Sequence, residues 1–276
     1  MNQIREISVG GVRIGGGQHL VLIAGPCVIE SEEHAMMLAE RLKRIAADAG
    51  VPFIFKASYD KANRSSVESY RGPGVDEGLR ILGQIKSKLK LPILTDVHDV
   101  SQVEAAGKVA DLLQVPAFLS RQTDLLLAVG RSGSAVNLKK GQFLSPWEMR
   151  HAVEKVASTG NQNIIVTERG ASFGYQNLVV DMRSFPILHG LGYPVVFDVT
   201  HSVQLPGGAG KSSGGQPEFI EPLARAGVAA GVDGVFLEVH EEPAKALSDG
   251  TNALPLNALP GLLKKLKSIG ELVREW

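Results

Sequence analysis

The sequence is poor in cysteine, in long apolar runs and in net charge, and each shortage excludes a class of protein. Its single cysteine, Cys27, cannot form a disulfide within the 276-residue chain, so we expect a cytoplasmic protein. No apolar run approaches the roughly 18 residues of a membrane span, and we expect no signal peptide in MNQIREISVG. Lysine and arginine total 29, as do aspartate and glutamate, so no overall field attracts nucleic acid or a membrane.

What the chain does contain is eight short apolar runs that alternate with helix-like segments. Such continuous runs are typical of strands buried on both faces, as in a parallel sheet. Successive runs start about 30 residues apart, which is the length of one βα unit. We therefore predict an α/β fold, a (β/α)8 TIM barrel, as a single domain over residues 1–276. The runs lie at 21–27, 52–58, 92–97, 111–118, 135–140, 163–170, 193–201 and 234–240.

Local signals refine this architecture. Residues 1–20 are predicted to form an N-terminal β-hairpin, because EISVGGVRIGGGQHL alternates and turns at glycines. Ser31 is a candidate N-cap and Gly50 a candidate C-cap of one helix, and Pro146 suits the first turn of another. The alternative fold, an open doubly wound sheet, usually carries G-x-G-x-x-G after its first strand, where this chain has GPCVIES.

Ionisable and polar residues are concentrated where the predicted strands end. The C-terminal ends of barrel strands carry the chemistry in this fold, so we expect these side chains to face one site. Every strand must leave the apolar core, and this explains some of the polar side chains at strand ends. It does not explain so many of them at ends that converge. They are Cys27, Lys56, Ser58, Asp96, His98, Gln114, Lys139, Lys140, Glu168, Arg169, Asp198, His201, Glu238 and His240.

A basic group is formed by Lys56, Lys61, Arg64, Lys139 and Arg169. Clustered like charges repel unless an anion lies between them. Phosphate or carboxylate is the natural ligand, because arginine offers two parallel donors and lysine a compact charge. A solvated surface position remains the alternative for Lys61 and Arg64.

A second group combines Cys27, His201, Glu238 and Asp249. Thiolate, imidazole and carboxylate together suit a divalent ion such as Zn, Fe, Mn or Co. Barrel closure would bring the ends of the first, seventh and eighth strands together. Two alternatives stay open at this point: a structural buried cysteine, and a cysteine nucleophile with His201 as its base.

Two long irregular stretches, 60–76 and 202–216, follow predicted strands and are functional candidates. The second contains LPGGAGKS, which is similar to a phosphate-binding loop but has Leu205 where that motif needs its first glycine. Its glycines predict a mobile lid over the site.

Several stretches resemble, in order and over nearly the whole chain, the family of 3-deoxy-D-manno-octulosonate 8-phosphate synthases. In the similar 3-deoxy-D-arabino-heptulosonate 7-phosphate synthases, the loop after strand two typically reads K-P-R-T-S. Here it reads KANRS, which favours arabinose 5-phosphate over erythrose 4-phosphate as the aldehyde. The stretches are IAGPCVIES, FKASYDKANRSS, ILTDVHD, LLQVPAFLSRQTDLL, NLKKGQFLSPWEM, TERGASFGYQNLVVDM, FDVTHSVQLPGG and FLEVH.

The resemblance implies that phosphoenolpyruvate, D-arabinose 5-phosphate and water give an eight-carbon sugar acid phosphate, a lipopolysaccharide precursor, and inorganic phosphate. It implies a homotetramer in which Arg121 reaches a neighbouring subunit's site. It also implies the metal-dependent branch, because the metal-independent branch has Asn at position 27. The implied metal ligands are Cys27, His201, Glu238 and Asp249, and the implied catalytic residues are Cys27, Lys61, His201 and Asp249. The implied substrate-binding residues are Lys56, Ser58, Lys61, Asn63, Arg64, Ser65, Asp96, Gln114, Arg121, Lys139 and Arg169.

Two functional alternatives compete with this interpretation. The nearer one is the heptulosonate synthase, which performs the same class of reaction with erythrose 4-phosphate. The other is a non-catalytic barrel that senses a phosphorylated ligand, which would bind without turnover. A sensor has little need of both a metal site and two phosphate pockets, so we expect an enzyme with small-molecule substrates and no nucleic-acid or membrane partner.

Overall fold

The computed structural model describes residues 3–64, 66–207 and 214–274. Ser65, predicted to bind substrate, and residues 208–213 of the predicted lid lie outside the described residues.

The strands are β1 (Glu6–Val9), β2 (Val12–Gly15), β3 (Val21–Gly25), β4 (Phe53–Lys56), β5 (Ile93–Asp96), β6 (Leu112–Val115), β7 (Ala135–Lys139), β8 (Ile164–Glu168), β9 (Ala171–Ser172), β10 (Leu178–Val179), β11 (Val195–Asp198), β12 (Gln204–Leu205), β13 (Gly214–Gly215), β14 (Gly234–His240) and β15 (Leu254–Pro255). The helices are α1 (Glu32–Ala49), α2 (Val75–Leu89), α3 (Val100–Gly107), α4 (Thr123–Arg131), α5 (Met149–Ala157), α6 (Ser184–His189), α7 (Val199–Ser202), α8 (Ile220–Ala229) and α9 (Leu259–Arg274).

Eight parallel strands close into a barrel in the order β3-β4-β5-β6-β7-β8-β11-β14. β14 pairs with β3 on one side and with β11 on the other, so the sheet has no open edge. Each of the eight strands lies inside one of the predicted apolar runs. The (β/α)8 prediction is therefore confirmed, and the open doubly wound sheet is excluded.

Alternate residues along the barrel strands belong to two separate cores. Leu22 and Ala24 of β3 lie in the larger core, between the sheet and the surrounding helices. Val21 and Ile23 lie in the smaller core, inside the barrel. Both faces of the strand are apolar because both are buried, which is why the sequence shows continuous runs rather than alternation.

The predicted N-terminal hairpin is present and covers one end of the barrel. β1 and β2 pair antiparallel, and Ile7, Val9 and Ile14 are buried in the same cluster as the inward-facing Ile23. The hairpin precedes β3, so it lies at the N-terminal end of the barrel strands. The C-terminal end is left for the site.

Helix boundaries follow the capping signals closely. The Ser31 hydroxyl accepts a hydrogen bond from the His34 amide at 3.1 Å, and Gly50 ends α1 with a left-handed φ of 62°. Pro146 starts a 3-10 turn over Pro146–Glu148, and α5 itself begins at Met149. The prediction of a helix opening at Pro146 was therefore three residues early for the α-helix.

Three sequence-based predictions of secondary structure need correction. The seventh strand was predicted to run to residue 201, but it ends at Asp198, whose carboxylate accepts from the His201 amide and caps α7. Helix α6 was not predicted, because a six-residue segment containing Pro186 carries little periodicity. The described ends of the 202–216 stretch are not wholly irregular, because β12 and β13 pair there.

Within the described ranges, no helix combines the length and the apolar composition that a membrane crossing requires.

Candidate active site

A cavity of about 390 Å³ lies at the C-terminal ends of the barrel strands. It is opposite the N-terminal hairpin, where the fold leaves the barrel interior uncovered. The lining brings together residues that are up to 193 positions apart in the sequence. The predicted site residues among them are Lys56, Lys61, Asn63, Arg64, Asp96, Gln114, Lys139, Arg169, His201 and Asp249.

The last residues of the barrel strands place the charged groups at the cavity floor. Lys56 ends β4, Asp96 ends β5 and Lys139 ends β7. Each is nearly inaccessible to solvent, because the neighbouring strands enclose it on both sides. Ionised groups at such depth need charged or hydrogen-bonding partners.

The basic group finds those partners in buried carboxylates. Lys56 Nζ donates to Glu238 Oε1 and to the carbonyl oxygens of Pro26 and Cys27, the latter two at 3.1 Å. Lys61 Nζ lies 3.7 Å from Asp96 Oδ2 and 3.7 Å from Glu238 Oε1. The sequence suggested that an anionic ligand must separate these cations, but the protein's own carboxylates already do so.

Lys139 and Arg169 border the same cavity from the next strands. Lys139 Nζ lies 2.5 Å from Asp198 Oδ2. Arg169 Nη2 donates to Gln204 Oε1 at 2.7 Å, whereas its buried Nη1 has no hydrogen-bond partner within the described residues. A buried guanidinium donor left free beside a cavity is suited to binding an anion.

The electrostatic balance keeps the floor carboxylates ionised. Burial opposes ionisation of Asp96 and is the largest single effect, but the surrounding cationic groups, with Lys61 and Lys56 the strongest, together outweigh it and hold its pKa well below the ordinary value. Glu238 follows the same pattern: burial raises its pKa, and His201, Lys56 and Lys61 lower it further than burial raises it. The floor therefore carries fixed charges of both signs.

The four predicted metal ligands converge beside this floor. Ligand atoms of Cys27, Glu238 and Asp249 all lie within 4.8 Å of one another. His201 Nε2 is 3.6 Å from Glu238 Oε1 and 3.9 Å from Asp249 Oδ2. Its other ring nitrogen, Nδ1, lies 2.8 Å from Asp198 Oδ2, which orients the imidazole with Nε2 towards the group.

The environment of Cys27 disfavours a free thiolate nucleophile. The thiol is buried, and burial, with the negative charge of Glu238 next in importance, raises its pKa well above the ordinary value. Its sulfur lies 2.9 Å from Ser248 Oγ and 3.5 Å from Asp249 Oδ2. Because a bound cation favours the deprotonated thiol, the position is compatible with metal ligation.

Gly25 explains why the cysteine follows a Gly-Pro pair. A Cβ at position 25 would lie 1.8 Å from the carbonyl oxygen of Lys56. Only glycine lets β3 approach β4 so closely at this point. The close approach brings the Pro26 and Cys27 carbonyls within reach of Lys56 Nζ and fixes the thiol next to Glu238.

Arg64 and Asp249 connect the loops after β4 and β14. Arg64 Nη1 donates to Ser248 Oγ at 2.9 Å and lies 3.4 Å from Asp249 Oδ1, and Nη2 donates to the Leu247 carbonyl at 3.2 Å. Asp249 has a left-handed φ of 49°, a conformation that aspartate tolerates better than most residues. These contacts hold the Asp249 carboxylate close to Cys27 and His201.

Some predicted residues lie outside the cavity lining. Ser58 is buried beneath it and donates to Asp96 Oδ2 at 2.5 Å. Arg121 is exposed and lies away from the cavity of its own chain. Lys140, noted among the strand-end residues, lies 3.4 Å from Glu168 and donates to the Leu144 carbonyl, so it supports the fold.

The cavity lining also contains residues to which the sequence interpretation gave no catalytic, substrate-binding or metal role. His98 was noted among the strand-end residues and lies in the lining. Asp198, also noted there, lies outside the lining and contacts Lys139 and His201. Gln142 and Gln204, in contrast, carry no sequence signal of a role. Gln204 reaches the site because the β12–β13 pairing turns it towards Arg169 and Asp249.

Comparison with known proteins decides the family. The model of the DAHP synthetase I family matches residues 3–275. The chain belongs to the DAHP synthetase I family. Among curated relatives named 2-dehydro-3-deoxyphosphooctonate aldolase, that of Trichlorobacter lovleyi is 62% identical over 270 residues, covering 98% of this chain and 99% of the relative. Those of Geobacter metallireducens and Geobacter sulfurreducens are 62% and 60% identical, each over 270 residues, with the same coverage.

Family membership agrees with the geometry of the barrel. The match spans the hairpin, all eight barrel strands and α9. The family match includes every residue that lines the cavity. This member of the DAHP synthetase I family is therefore an enzyme, and the cavity just described is its candidate active site.

Proposed function

We propose that the protein condenses phosphoenolpyruvate with D-arabinose 5-phosphate and water to give 3-deoxy-D-manno-octulosonate 8-phosphate and inorganic phosphate. The observation that carries the proposal is one cavity lined by Lys56, Lys61, Lys139 and Arg169, with a free Arg169 donor. Two substrates that each carry a phosphate need such a cationic surface, because they repel one another. The shared name of the relatives supports the same reaction.

The reaction balances as two bond formations, one C–C bond and one C–O bond from water, followed by cleavage of one C–O bond. C3 of the enol attacks the aldehyde carbon, and the aldehyde oxygen becomes a hydroxyl after protonation. The positive charge that develops at C2 is quenched by water, which loses a proton. Phosphate then leaves with cleavage of its bond to C2. Bringing the two reactants together and stabilising charge are the tasks left to the protein.

Phosphoenolpyruvate is assigned to the inner half of the cavity. Lys139 and Arg169 border the space where its phosphate and carboxylate would lie, and Arg169 Nη1 is available without breaking a hydrogen bond between described residues. Lys56 and Lys61 extend the positive surface towards the metal group. Ser58 and Gln114 support this half through Asp96.

The sugar phosphate is assigned to the loop after β4. Asn63 and Arg64 line the cavity there, with Ser65 next in the chain. Arg64 would exchange its ion pair with Asp249 for the phosphate of arabinose 5-phosphate. Asp96, held ionised at the floor, is placed to accept a hydrogen bond from a sugar hydroxyl.

A divalent metal ion fits the group formed by Cys27, His201, Glu238 and Asp249. Glu238 Oε2 is buried and lacks a hydrogen-bond partner among the residues described, while Oε1 is bound by Lys56. A free carboxylate oxygen, a thiol and an imidazole are ligand types that bind Zn, Fe, Mn or Co. When bound, the ion would act as a Lewis acid that orients the aldehyde or the attacking water.

The activity is tested by measuring phosphate release from phosphoenolpyruvate with each aldehyde. Protein prepared anaerobically and loaded separately with Zn, Fe, Mn or Co should release phosphate with arabinose 5-phosphate. Erythrose 4-phosphate should be a poor substrate. Preference for erythrose 4-phosphate would instead support the heptulosonate synthase, and binding without turnover would support the sensor.

The metal proposal is tested by counting bound ions per chain. His201→Asn should lower the metal content, while the matched control His151→Asn should leave it unchanged, because His151 is largely exposed beside Glu154. Equal metal content in the two variants would contradict the ligand set. Elemental analysis gives this result independently of activity.

We further propose that the protein works in the cytoplasm as a homotetramer in which Arg121 serves a neighbouring site. Large apolar side chains are exposed on loops that follow β6, β7 and β8: Phe118, Phe143, Trp147, Phe173 and Tyr175. Such surfaces are typical of protein interfaces. Sedimentation should give four chains per particle, and a monomeric particle with full activity would contradict the proposal.

A further inference from the structure

A line of buried polar side chains crosses the barrel interior beneath the cavity. Thr167 Oγ1 donates to Asn137 Oδ1 at 2.6 Å, and Asn137 Nδ2 donates to Gln114 Oε1 at 2.8 Å. Gln114 Nε2 then donates to Asp96 Oδ1. The line, which we call the floor chain, thus consists of Thr167, Asn137, Gln114 and Asp96.

The fold places one member of the floor chain on each of four neighbouring strands. Asp96 is in register with Gln114, and Gln114 is in register with Asn137. Thr167 lies on β8, the next strand around the barrel. Asp96, Gln114 and Asn137 therefore form one row along the hydrogen-bonding direction of the sheet, and Thr167 lies two residues beyond the register partner of Asn137.

The floor chain has a single polarity. Each amide accepts a hydrogen bond through its oxygen on the side facing β8 and donates one through its nitrogen on the side facing β5. Gln114 lies between the Asp96 carboxylate, which can only accept, and the Asn137 amide, whose N–H donates to the Gln114 oxygen; Thr167 in turn donates to the Asn137 oxygen. Consequently Gln114 presents N–H, and not its oxygen, to the carboxylate of Asp96.

Only part of the floor chain reaches the cavity. Asp96 and Gln114 line it, whereas Asn137 and Thr167 are fully buried below the lining. Asp96 is also held by Ser58 Oγ at 2.5 Å. Its two oxygens are therefore each fixed by a donor from below, with Lys61 at 3.7 Å from Oδ2.

We infer that Asn137 is a positioning residue: it sets the amide orientation of Gln114 and thereby the placement of the Asp96 carboxylate for the sugar substrate. This inference rests on the proposed function and adds to it a residue that touches no substrate. A purely structural role would require only that the buried amide of Asn137 have hydrogen-bond partners. The hydrogen bonds of the floor chain also run in one direction and end on a carboxylate that lines the cavity, which supports the positioning role.

The decisive variant is Asn137→Asp, which keeps the shape and replaces the donor by an acceptor. Gln114 then lies between two acceptors, and donation of its N–H to position 137 turns its oxygen against Asp96. Repulsion between that oxygen and the carboxylate should displace Asp96. We expect KM for arabinose 5-phosphate to rise about tenfold and KM for phosphoenolpyruvate to change less than about threefold.

A double variant restores donor–acceptor pairing between positions 137, 114 and 96, with the Gln114 amide in the reversed orientation. In Asn137→Asp/Asp96→Asn, the new amide at position 96 can donate to the reversed Gln114 oxygen. The thermal midpoint of the double variant should therefore exceed the value expected by adding the two single effects. Strict additivity would overturn the inference.

Matched threonine variants separate positioning from general loss of a buried hydrogen bond. Thr167→Val removes the first donor of the floor chain and should raise KM for arabinose 5-phosphate about threefold. Thr95→Val removes an equally buried hydroxyl, which donates to the Ala57 carbonyl at 2.8 Å, and should leave KM unchanged. If the Asn137→Asp variant does not fold, the KM measurement on Thr167→Val serves as the kinetic test.

The inference fails if Asn137→Asp or Thr167→Val lowers the thermal midpoint without changing KM for arabinose 5-phosphate beyond about twofold. Failure of the proposed function looks different, because the wild-type protein would then not turn over these substrates. The double-variant cycle in thermal midpoint needs no substrate. It therefore reports on the floor chain in either case.

Discussion

Single residues in this barrel are fixed by partners that are far away in sequence. Lys61 lies between Asp96 and Glu238, so one ammonium group joins the cavity floor to the four candidate metal ligands. Burial lowers its pKa and is the largest single effect, but the surrounding anionic groups together raise it above the ordinary value. Lys61 is therefore a permanent cation at neutral pH.

Replacing Lys61 should mainly impair turnover. Lys61→Met keeps the length of the side chain and leaves two buried carboxylates without this partner. We expect kcat/KM to fall by at least about a hundredfold, because interactions of a buried charge with both substrates and carboxylates are lost. The control Lys108→Met changes an exposed lysine paired with Glu104, and a similar loss in both variants would contradict the assignment.

Cys27 offers a second test at the residue scale. Cys27→Asn replaces the proposed thiolate ligand by a neutral amide and should weaken metal affinity at least about tenfold. Part of the turnover should persist in chelator, because the resemblance to the synthase family implies a metal-independent branch that has Asn at this position. Cys27→Val removes the ligand without that replacement and should lose chelator-resistant turnover. A folded but inactive Cys27→Asn variant would contradict the expectation.

At the scale of elements, strand ends and helix starts decide where the site lies. The sequence signals placed the strand starts well, because an apolar run begins where the barrel begins. The strand ends were less visible: Asp198 ends β11 by capping α7, although the apolar pattern continues into Val199. A side-chain cap competes with strand pairing, and only the packed structure shows which one is formed.

The cap of α1 gives a prediction at this scale. Ser31→Ala removes the acceptor for the His34 amide and should lower the free energy of unfolding by about 1 kcal/mol. Ser268→Ala on α9, whose hydroxyl bonds only within its own helix turn, should change it by less than about 0.5 kcal/mol. Denaturant titration measures both. Equal effects would mean that the Ser31 cap does not stabilise α1.

At the scale of the whole molecule, charges of both signs are collected in one barrel end although the formal balance is zero. The basic residues were correctly placed there from the sequence, but the compensating role of Asp198 and Glu238 was not foreseen for Lys139 and Lys56. Sequence patterns show which strand carries a charge. Only the closed barrel shows which charges meet across it.

This collection predicts a loss of stability in acid. Burial raises the pKa of Asp96, but Lys61 and Lys56 lower it further, so the folded value lies below the ordinary 3.8. A depressed folded pKa stabilises the protein above the ordinary value, and that stability is lost as the pH falls towards the folded value. The free energy of unfolding should therefore fall between about pH 5 and pH 2, as Asp96 and similar carboxylates become protonated in the unfolded chain.

Asp96→Asn should make this pH dependence shallower. Asp48→Asn, at an exposed position on α1, serves as the control and should leave the slope unchanged. Denaturant titrations at several pH values measure it. An Asp96→Asn variant with the wild-type slope would show that Asp96 does not contribute to acid sensitivity.

The sequence by itself determined the eight strands, the hairpin, the first helix cap and most of the charged cavity lining, because apolar periodicity and strand-end chemistry are local properties. The tertiary structure decided the rest: the Gln204 contact, the Glu238 oxygen left free beside Cys27, and the floor chain through Asn137. These depend on which side chains face one another across a closed sheet, and spacing along the chain does not encode those distances.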